Sequence, residues 1–491
     1  MPCRRRAFAC RIQSASLVAD VVNALRFCQA SPGSSLRLTQ MQKQLHRPRV
    51  TPHACPPRSI EPPQGRPDSG GNGKTTAGFL GLPHRDLLIP DRGRACIIPA
   101  VGCTNSGEEQ SVQLRCPQSE LERALHQVSR AVARRSTLPV LSNVLLAADE
   151  GNLRITATNL EIALSVSFPA EVTDPGQLSV RADVFTEFIG SLPKQDVILS
   201  GTTGSNDLRV TCGTSKARIP GIPAEDFPTL PRIGDQPPTT TVPVEGLREA
   251  ISQVVFAAAT DDSRPVLAGV LLEFRGTELT LAAADGFRLS VRSLALQQPA
   301  ATDLAIIVPA RALAELARVL GDGEETVQLL VTPNRSQLLA RSGRLEFLSR
   351  LIDGTFPEFR QIIPKQWRTR VTVDRESFLA AARRAKIFAQ SNNEVVKLHI
   401  APGDSELDPG SLTVSAQAAD AGDTEDILPA RVDGPEATIA FNGRYLTDVL
   451  AVTKASEIAF EMTTPNAAGV FRPVGDESFV HVVMPMVIGA A

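Results

Sequence analysis

Apolar and polar positions recur in a fixed order along most of this chain. Within residues 264–291, the run Val266-Leu267-Ala268-Gly269-Val270-Leu271-Leu272 leads to a turn at Gly276. Leu279-Thr280-Leu281-Ala282-Ala283-Ala284 then leads through Asp285-Gly286 to Phe287-Arg288-Leu289-Ser290-Val291. Apolar runs broken by Gly and by Asp-Gly predict two strands joined by a turn, then a tight turn into a third strand. The same order stands upstream, from Leu138-Pro139-Val140-Leu141-Ser142-Asn143-Val144 through Leu153-Arg154-Ile155-Thr156 to Leu164-Ser165-Val166. Pro139 and Pro265 lie 126 residues apart, and the two Leu-Ser-Val triplets 125, which marks an internal duplication. Solenoid repeats run to roughly 20–50 residues, so this period is that of a domain.

Helical periodicity extends the repeat to three copies. Residues 119–133 carry Leu121, Ala124, Leu125, Val128 and Val132 on one face. Residues 245–258 carry Leu247, Ala250, Ile251 and Val254, and 375–389 carry Phe378, Ala381, Ala382 and Ala385. A second helix recurs around Phe185, Phe188, Ile189 and Leu192, then Leu313, Leu316, Ala317 and Leu320, then Leu446, Val449 and Leu450. The remainder alternates as strands between Gly turns, with Val112-Gln113-Leu114-Arg115 as the first. The expected class is α+β: three tandem repeats, each of two helices packed on antiparallel sheets. Pro-rich linkers at 231–243 and 364–370 divide the chain into 1–110, 111–235, 238–365 and 368–491.

Composition agrees with a globular body and separates off its beginning. Of the 491 residues 42% are apolar and 4% aromatic, so Val, Leu, Ile and Ala must fill the cores. No apolar run approaches the roughly 18–20 residues of a membrane span. The net charge of −2 hides an asymmetry: residues 1–110 hold 15 Lys+Arg against 7 Asp+Glu, and the rest 36 against 46. Six of the 8 cysteines fall in 1–110 (Cys3, Cys10, Cys28, Cys55, Cys96 and Cys103), leaving Cys116 and Cys212 in the body. Two distant cysteines do not make a disulfide scaffold, and a reducing compartment, the cytoplasm, is expected. The 1–110 segment is rich in Arg, Pro and Gly, with one short amphipathic helix expected at 17–27. Gly70-Gly71-Asn72-Gly73-Lys74-Thr75 falls short of a P-loop, because Asp68 stands where its first Gly is required. Cys96 and Cys103 lack zinc-site spacing. A disordered basic extension is the expectation.

The helices carry basic stripes as well as core faces. At 100° per residue Arg123, Arg130 and Arg134 lie within about 40° of one another, opposite the apolar stripe. Arg311 and Arg318 share a face in the second repeat, and Arg383 lies opposite Phe378 in the third. One such stripe is ordinarily a solvated face; its recurrence on an acidic body points to a polyanion. Aromatic residues are not interleaved with it, which favours phosphate contact with a duplex over base stacking. Catalytic signatures are missing: His126, His399 and His481 stand in no triad or ligand spacing, and no metal site or cofactor is expected. Asp261-Asp262 reads as a surface loop. An enzyme on a repeated β-rich scaffold, with a site near Asp261 or His399, is the alternative.

Five stretches resemble the bacterial DNA polymerase III β subunits, the sliding clamps. They are Ser136-Thr137-Leu138-Pro139-Val140-Leu141-Ser142-Asn143, Ala283-Ala284-Asp285-Gly286-Phe287-Arg288-Leu289 and Leu351-Ile352-Asp353-Gly354-Thr355-Phe356-Pro357-Glu358-Phe359. Phe441-Asn442-Gly443-Arg444-Tyr445-Leu446 and Val482-Val483-Met484-Pro485-Met486 complete the set. The resemblance covers 112–491. It implies a head-to-tail dimer closing a six-domain ring, with helices lining a hole for double-stranded DNA and no active site. The clamp would tether the polymerase III alpha subunit, and bind the clamp loader and other clamp-binding proteins, without membrane attachment. Arg123, Arg130, Arg134, Arg135, Arg311 and Arg318 would face DNA. By match to the family's motifs, Leu267, Gly286, Arg288, Leu289, Pro357, Ile362, Tyr445, Val482, Met484 and Pro485 would form a partner-peptide pocket between the second and third domains. Phe188, Ile219, Ile387 and Phe388 would form the dimer interface. Phe287 stands where His or Tyr is common and Gln361 where a basic residue is common, which bears on peptide preference. Family members begin just before the first helix, so the natural start is expected at or near Val112, with 1–110 mis-assigned; a basic arm that touches DNA competes with that reading.

Overall fold

The computed structural model describes residues 111–487 apart from 134, 203–205, 232–236, 262, 322, 404–409 and 420. The expectations for 1–110, including the helix at 17–27 and the natural start, lie outside the described residues, as do those for Arg134 and Asp262.

Six helices occupy the positions that the apolar periodicity marks: α1 (Gln118–Val128), α2 (Ala182–Ser191), α3 (Val244–Val254), α4 (Ala310–Val319), α5 (Arg375–Ala389) and α6 (Gly443–Val452). The first helix of each repeat buries its predicted stripe, with Leu121, Leu125, Leu247, Ile251, Phe378 and Ala382 at 1% exposure or less. α1 and α3 are shorter than their periodicity. Each gives way to a 3-10 turn, Ser129–Ala131 and Val255–Ala257, before the chain becomes extended. Val254-Val255 places two β-branched side chains in succession there, and helix ends commonly tighten in this way. α5 spans its full predicted length. Asp374 caps it by accepting from Ser377 N at 2.8 Å.

The strands join the repeats edge to edge. In a 13-stranded sheet, Leu345–Arg350 of the second repeat pairs antiparallel with Ile162–Pro169 of the first, in the register Leu345↔Val166 to Ser349↔Ile162. In a 12-stranded sheet, Arg288–Ala295 of the second repeat pairs with Phe479–Val483 of the third, Leu289 opposite Val482. Backbone hydrogen bonds therefore run across both junctions. Side-chain alternation assigns each strand two faces. In Glu278–Ala284, Leu279, Leu281 and Ala283 pack into the core beneath the helices, while Ala282 joins a separate cluster with Leu289, Phe356, Phe359 and Val482. The helix pairs thus cover one face, and the junction cluster lies on the other.

The predicted turns are present. Gly276 has φ +52° and Gly286 φ +96°, left-handed values that favour Gly. Among the described residues no helix is long and apolar enough to cross a membrane, a statement that leaves β-barrels aside.

Candidate functional site

Two groups of predicted residues come together, on different parts of the molecule. The first is basic. Arg123 on α1 and Arg130 in the turn after it are exposed, as are Arg311 and Arg318 at the two ends of α4. Arg123, Arg130 and Arg318 line one open cleft of about 420 Å³ with Ser119, Glu122, His126, Gln127, Val319 and Gly321. The cleft therefore spans the junction of the first two repeats. Arg311 and the exposed loop residue Arg135 are not among its lining residues. Periodicity did not reveal the acidic residue beside it. Glu315 of α4 accepts from Arg318 Nη1 at 2.5 Å with one oxygen and from Arg130 Nη1 at 3.4 Å with the other.

The second group lies where the second and third repeats meet. Leu289, Val482, Phe356 and Phe359 belong to one apolar cluster, with Leu267 packed against it. Pro357 and Ile362 are exposed on the segment that precedes the linker at 364–370, and Met484 is exposed on the C-terminal segment with half-buried Pro485 beside it. Met484 N donates to the Phe287 carbonyl at 2.8 Å, which holds that segment against the Asp285–Gly286 turn. Phe287 itself is 59% exposed at the rim.

Arg288 forms the polar wall. Its side chain is 5% exposed, and its guanidinium lies 4.3 Å from the Tyr445 ring centroid. Nε donates to Asp285 at 3.0 Å, Nη1 to Asp448 of α6 at 2.7 Å and Nη2 to the Phe256 carbonyl at 2.5 Å. Asp285 also accepts from Phe287 N and Arg288 N, closing the turn that carries Gly286. Burial, then the Asp285 carboxylate, raises the Tyr445 phenol pKa above its usual value. Behind Arg288, His481 is fully buried, with Nδ1 2.6 Å from Ser290 Oγ. Burial and then the Arg288 charge push its pKa down to about 3, so the imidazole is neutral. Asp448, the Phe256 carbonyl and His481 were not foreseen as parts of this wall. They lie far from Arg288 in sequence and no motif joins them.

The four expected interface residues differ in their surroundings. Ile387 on α5 is 64% exposed, while Phe388 and Phe188 are half-buried. Ile219 is 3% exposed, because the alternation of Ser215–Ile222 turns it into the core of the first repeat and Lys216 and Arg218 outward. One apolar residue that was not singled out, Ile427 in Gly422–Asp433, is 66% exposed.

Among the described residues the alternative enzyme sites hold no such constellation. Asp261 accepts from Ser263 N at 2.9 Å and from its hydroxyl at 2.5 Å, contacts that lower its carboxyl pKa. His399 Nδ1 lies 3.0 Å from Thr438 Oγ1, and His399 is half-buried on the strand Val395–Ala401. The enzyme reading has no further support.

Three family models match in order: the N-terminal domain of the DNA polymerase III beta subunit over 112–231, its central domain over 241–358 and its C-terminal domain over 360–487. A beta sliding clamp of Synechocystis sp. is 32% identical over 394 residues, covering 76% of this chain and 99% of that protein. The crystal structure of the Bacillus subtilis sliding clamp superposes with a TM-score of 0.72 at 26% identity, over 77% of this chain and 99% of that one. That of a Pseudomonas aeruginosa sliding clamp bound to griselimycin superposes with a TM-score of 0.71 at 29% identity, over 77% and 100%. The three repeats are clamp domains, and the chain belongs to the DNA polymerase III beta subunit family, the non-catalytic sliding clamps of DNA replication.

Proposed function

We propose that two copies of this chain close head to tail into a ring of six domains, divided within each chain at 111–235, 238–365 and 368–491. Duplex DNA runs through the hole against Arg123, Arg130, Arg134, Arg135, Arg311 and Arg318, without sequence readout. Partner peptides, including those of the polymerase III alpha subunit and the clamp loader, dock around Leu267, Arg288, Tyr445, Ile362 and Met484. A cytoplasmic location follows from that role.

The observation that carries the ring is a pair of open strand edges with opposite charge. Ser215–Ile222 pairs through 215–220 with Asp207–Cys212 and bends to meet Gly176–Arg181 only at 221–222. Gly422–Asp433 does the same: 422–429 pairs with Ser411–Ala418, and 430–433 with Thr369–Asp374. Each leaves one edge without a strand partner among the described residues. The first exposes Lys216 and Arg218, the second Asp423, Glu425 and Ile427. An open edge invites another strand. Pairing the basic edge of one copy with the acidic edge of the next, twice about a two-fold axis, closes the ring. Ile387 and the half-buried Phe388 and Phe188 then supply apolar contact, with Ile219 in the core beneath.

The arginine cleft supports the DNA reading, since guanidiniums on helix surfaces bind phosphate without reading bases. The apolar cluster edged by an adaptable Met supports peptide docking. The test is retention on nicked circular plasmid before and after linearisation, with particle mass measured in parallel. A dimer held by circles and shed from linear ends is expected. Equal retention on both forms, or a monomer under loading conditions, overturns the proposal.

A further inference from the structure

We propose that Glu315 limits the ring's grip on DNA by holding Arg130 and Arg318 in a shared ion pair that duplex phosphates must compete with. This rests on the reading of those arginines as phosphate contacts. The carboxylate sits between two guanidiniums from different domains, one oxygen on each. Its side chain is 24% exposed, against 45% for Arg130 and 59% for Arg318. The arginines therefore reach into the cleft, and the carboxylate lies behind them. Two positive charges are offset by one negative charge, so the trio presents about half the charge that the arginines would present alone. A phosphate entering the cleft meets guanidiniums already turned partly toward Glu315.

The arrangement has a counterpart at the next junction. Lys454, just after α6, reaches Glu249 and Glu245 of α3 at 3.2 and 3.4 Å. At both junctions, then, a basic side chain of one domain is held by acidic residues on a helix of its neighbour. Strong phosphate binding would oppose sliding, because every step along the duplex breaks the contacts of the last. A carboxylate that competes for the same donors keeps each contact weak while leaving the arginines near the DNA.

The test uses the full-length dimer and a short duplex of arbitrary sequence, titrated between about 50 and 200 mM salt, the range over which phosphate contacts dominate affinity. Glu315→Gln keeps the side-chain volume and an acceptor oxygen but removes the charge. It should tighten binding several-fold at low salt. Each additional phosphate contact steepens the plot of log affinity against log salt by about 0.9, so a change of about one to two is expected. Glu315→Asp should return both quantities toward the parent values, and dimer mass should not move. Arg123→Glu, Arg130→Glu and Arg318→Glu together form the control. If the control weakens binding while Glu315→Gln leaves it unchanged or weakens it, Glu315 merely orients the arginines and the proposal fails. If the control has no effect, the phosphate reading itself fails, and this inference with it.

Discussion

Replacing Arg288 by Met tests whether one buried cation ties the second and third domains together. The substitution keeps most of the apolar stem and removes the guanidinium. Left behind are Asp285 and Asp448, whose side chains are 14% and 28% exposed, and the Phe256 carbonyl that accepted from Nη2. Removing one partner of a buried ion pair costs about 3–5 kcal/mol, since the remaining charge stays desolvated. Asp448 is exposed enough for water to recover part of this. Loss of the stack on Tyr445 adds about 0.5–2 kcal/mol. The two corrections act in opposite directions and leave about 3 kcal/mol at the junction. Several domains share the chain, so one global unfolding energy is not a suitable measure. Amide exchange reads the junction locally, at the ladder that joins Leu289 to Val482 and at the Met484 amide on the Phe287 carbonyl. About 3 kcal/mol corresponds to roughly a hundredfold loss of protection there. A double-mutant cycle with Asp448→Asn should return a coupling of about 1.5–3 kcal/mol, the range for hydrogen bonds to charged groups. Protection reduced less than threefold, or negligible coupling, would refute the argument that Arg288 is the tie.

Ile387→Asp should convert the dimer to monomers at micromolar concentration: it forfeits about 1–2 kcal/mol of apolar burial per interface and desolvates a new charge in each of two interfaces. Analytical ultracentrifugation showing an unchanged dimer would remove Ile387 from the interface. Truncation before Met484 should abolish binding of polymerase tail peptides while leaving the ring assembled, and a peptide titration that matches the full chain would mean that the pocket lies elsewhere. His481 gives a pH signature. Its folded-state pKa of about 3 lies below the unfolded value of about 6.5, so the unfolded chain binds the extra proton. The stabilisation is complete above pH 6.5 and falls by about 1.4 kcal/mol per unit as pH drops toward 3. His481→Phe should flatten the loss of amide protection, corrected for intrinsic exchange, along the Leu289–Val482 ladder between pH 7 and 5, and parallel profiles for parent and variant would contradict this.

What the sequence made legible is what a single element determines. Apolar runs broken at Gly276 and at Asp285-Gly286 identified the strands that follow, because turn residues punctuate the chain locally. The span of α5 was legible from its apolar stripe of Phe378, Ala381, Ala382 and Ala385, and the structure adds a cap that the stripe does not show, Asp374 accepting from Ser377 N. The arginine stripes were legible because angular position on a helix can be counted along the chain. The same counting also failed in places. α1 and α3 end early, where the last turn tightens, and Arg130 consequently stands in a 3-10 turn rather than on the helix proper. Ile219 was expected to face a partner, but its strand's alternation turns it inward. A resemblance identifies the element, and the pleat decides which side of it a residue occupies.

Features that depend on two elements were not legible. Glu315 lies on the same helix as Arg318, and its i,i+3 pairing there is ordinary. Its reach to Arg130 is set by the antiparallel register of Leu345–Arg350 on Ile162–Pro169, which fixes how the first two domains meet. A shift of one residue in that register would turn the paired side chains to the opposite face and move the domains by about 3.3 Å relative to each other. The Arg130–Glu315 contact, already 3.4 Å, would be lost. Arg288 and Asp448 depend in the same way on the pairing of Leu289 with Val482. Both ion pairs cross domain junctions welded by backbone hydrogen bonds, so rigid strand pairing holds long, flexible side chains within reach of each other. The charge pattern inside the proposed ring is therefore set by sheet register as much as by helix composition. Changes to a junction strand should alter DNA retention even where they touch no arginine.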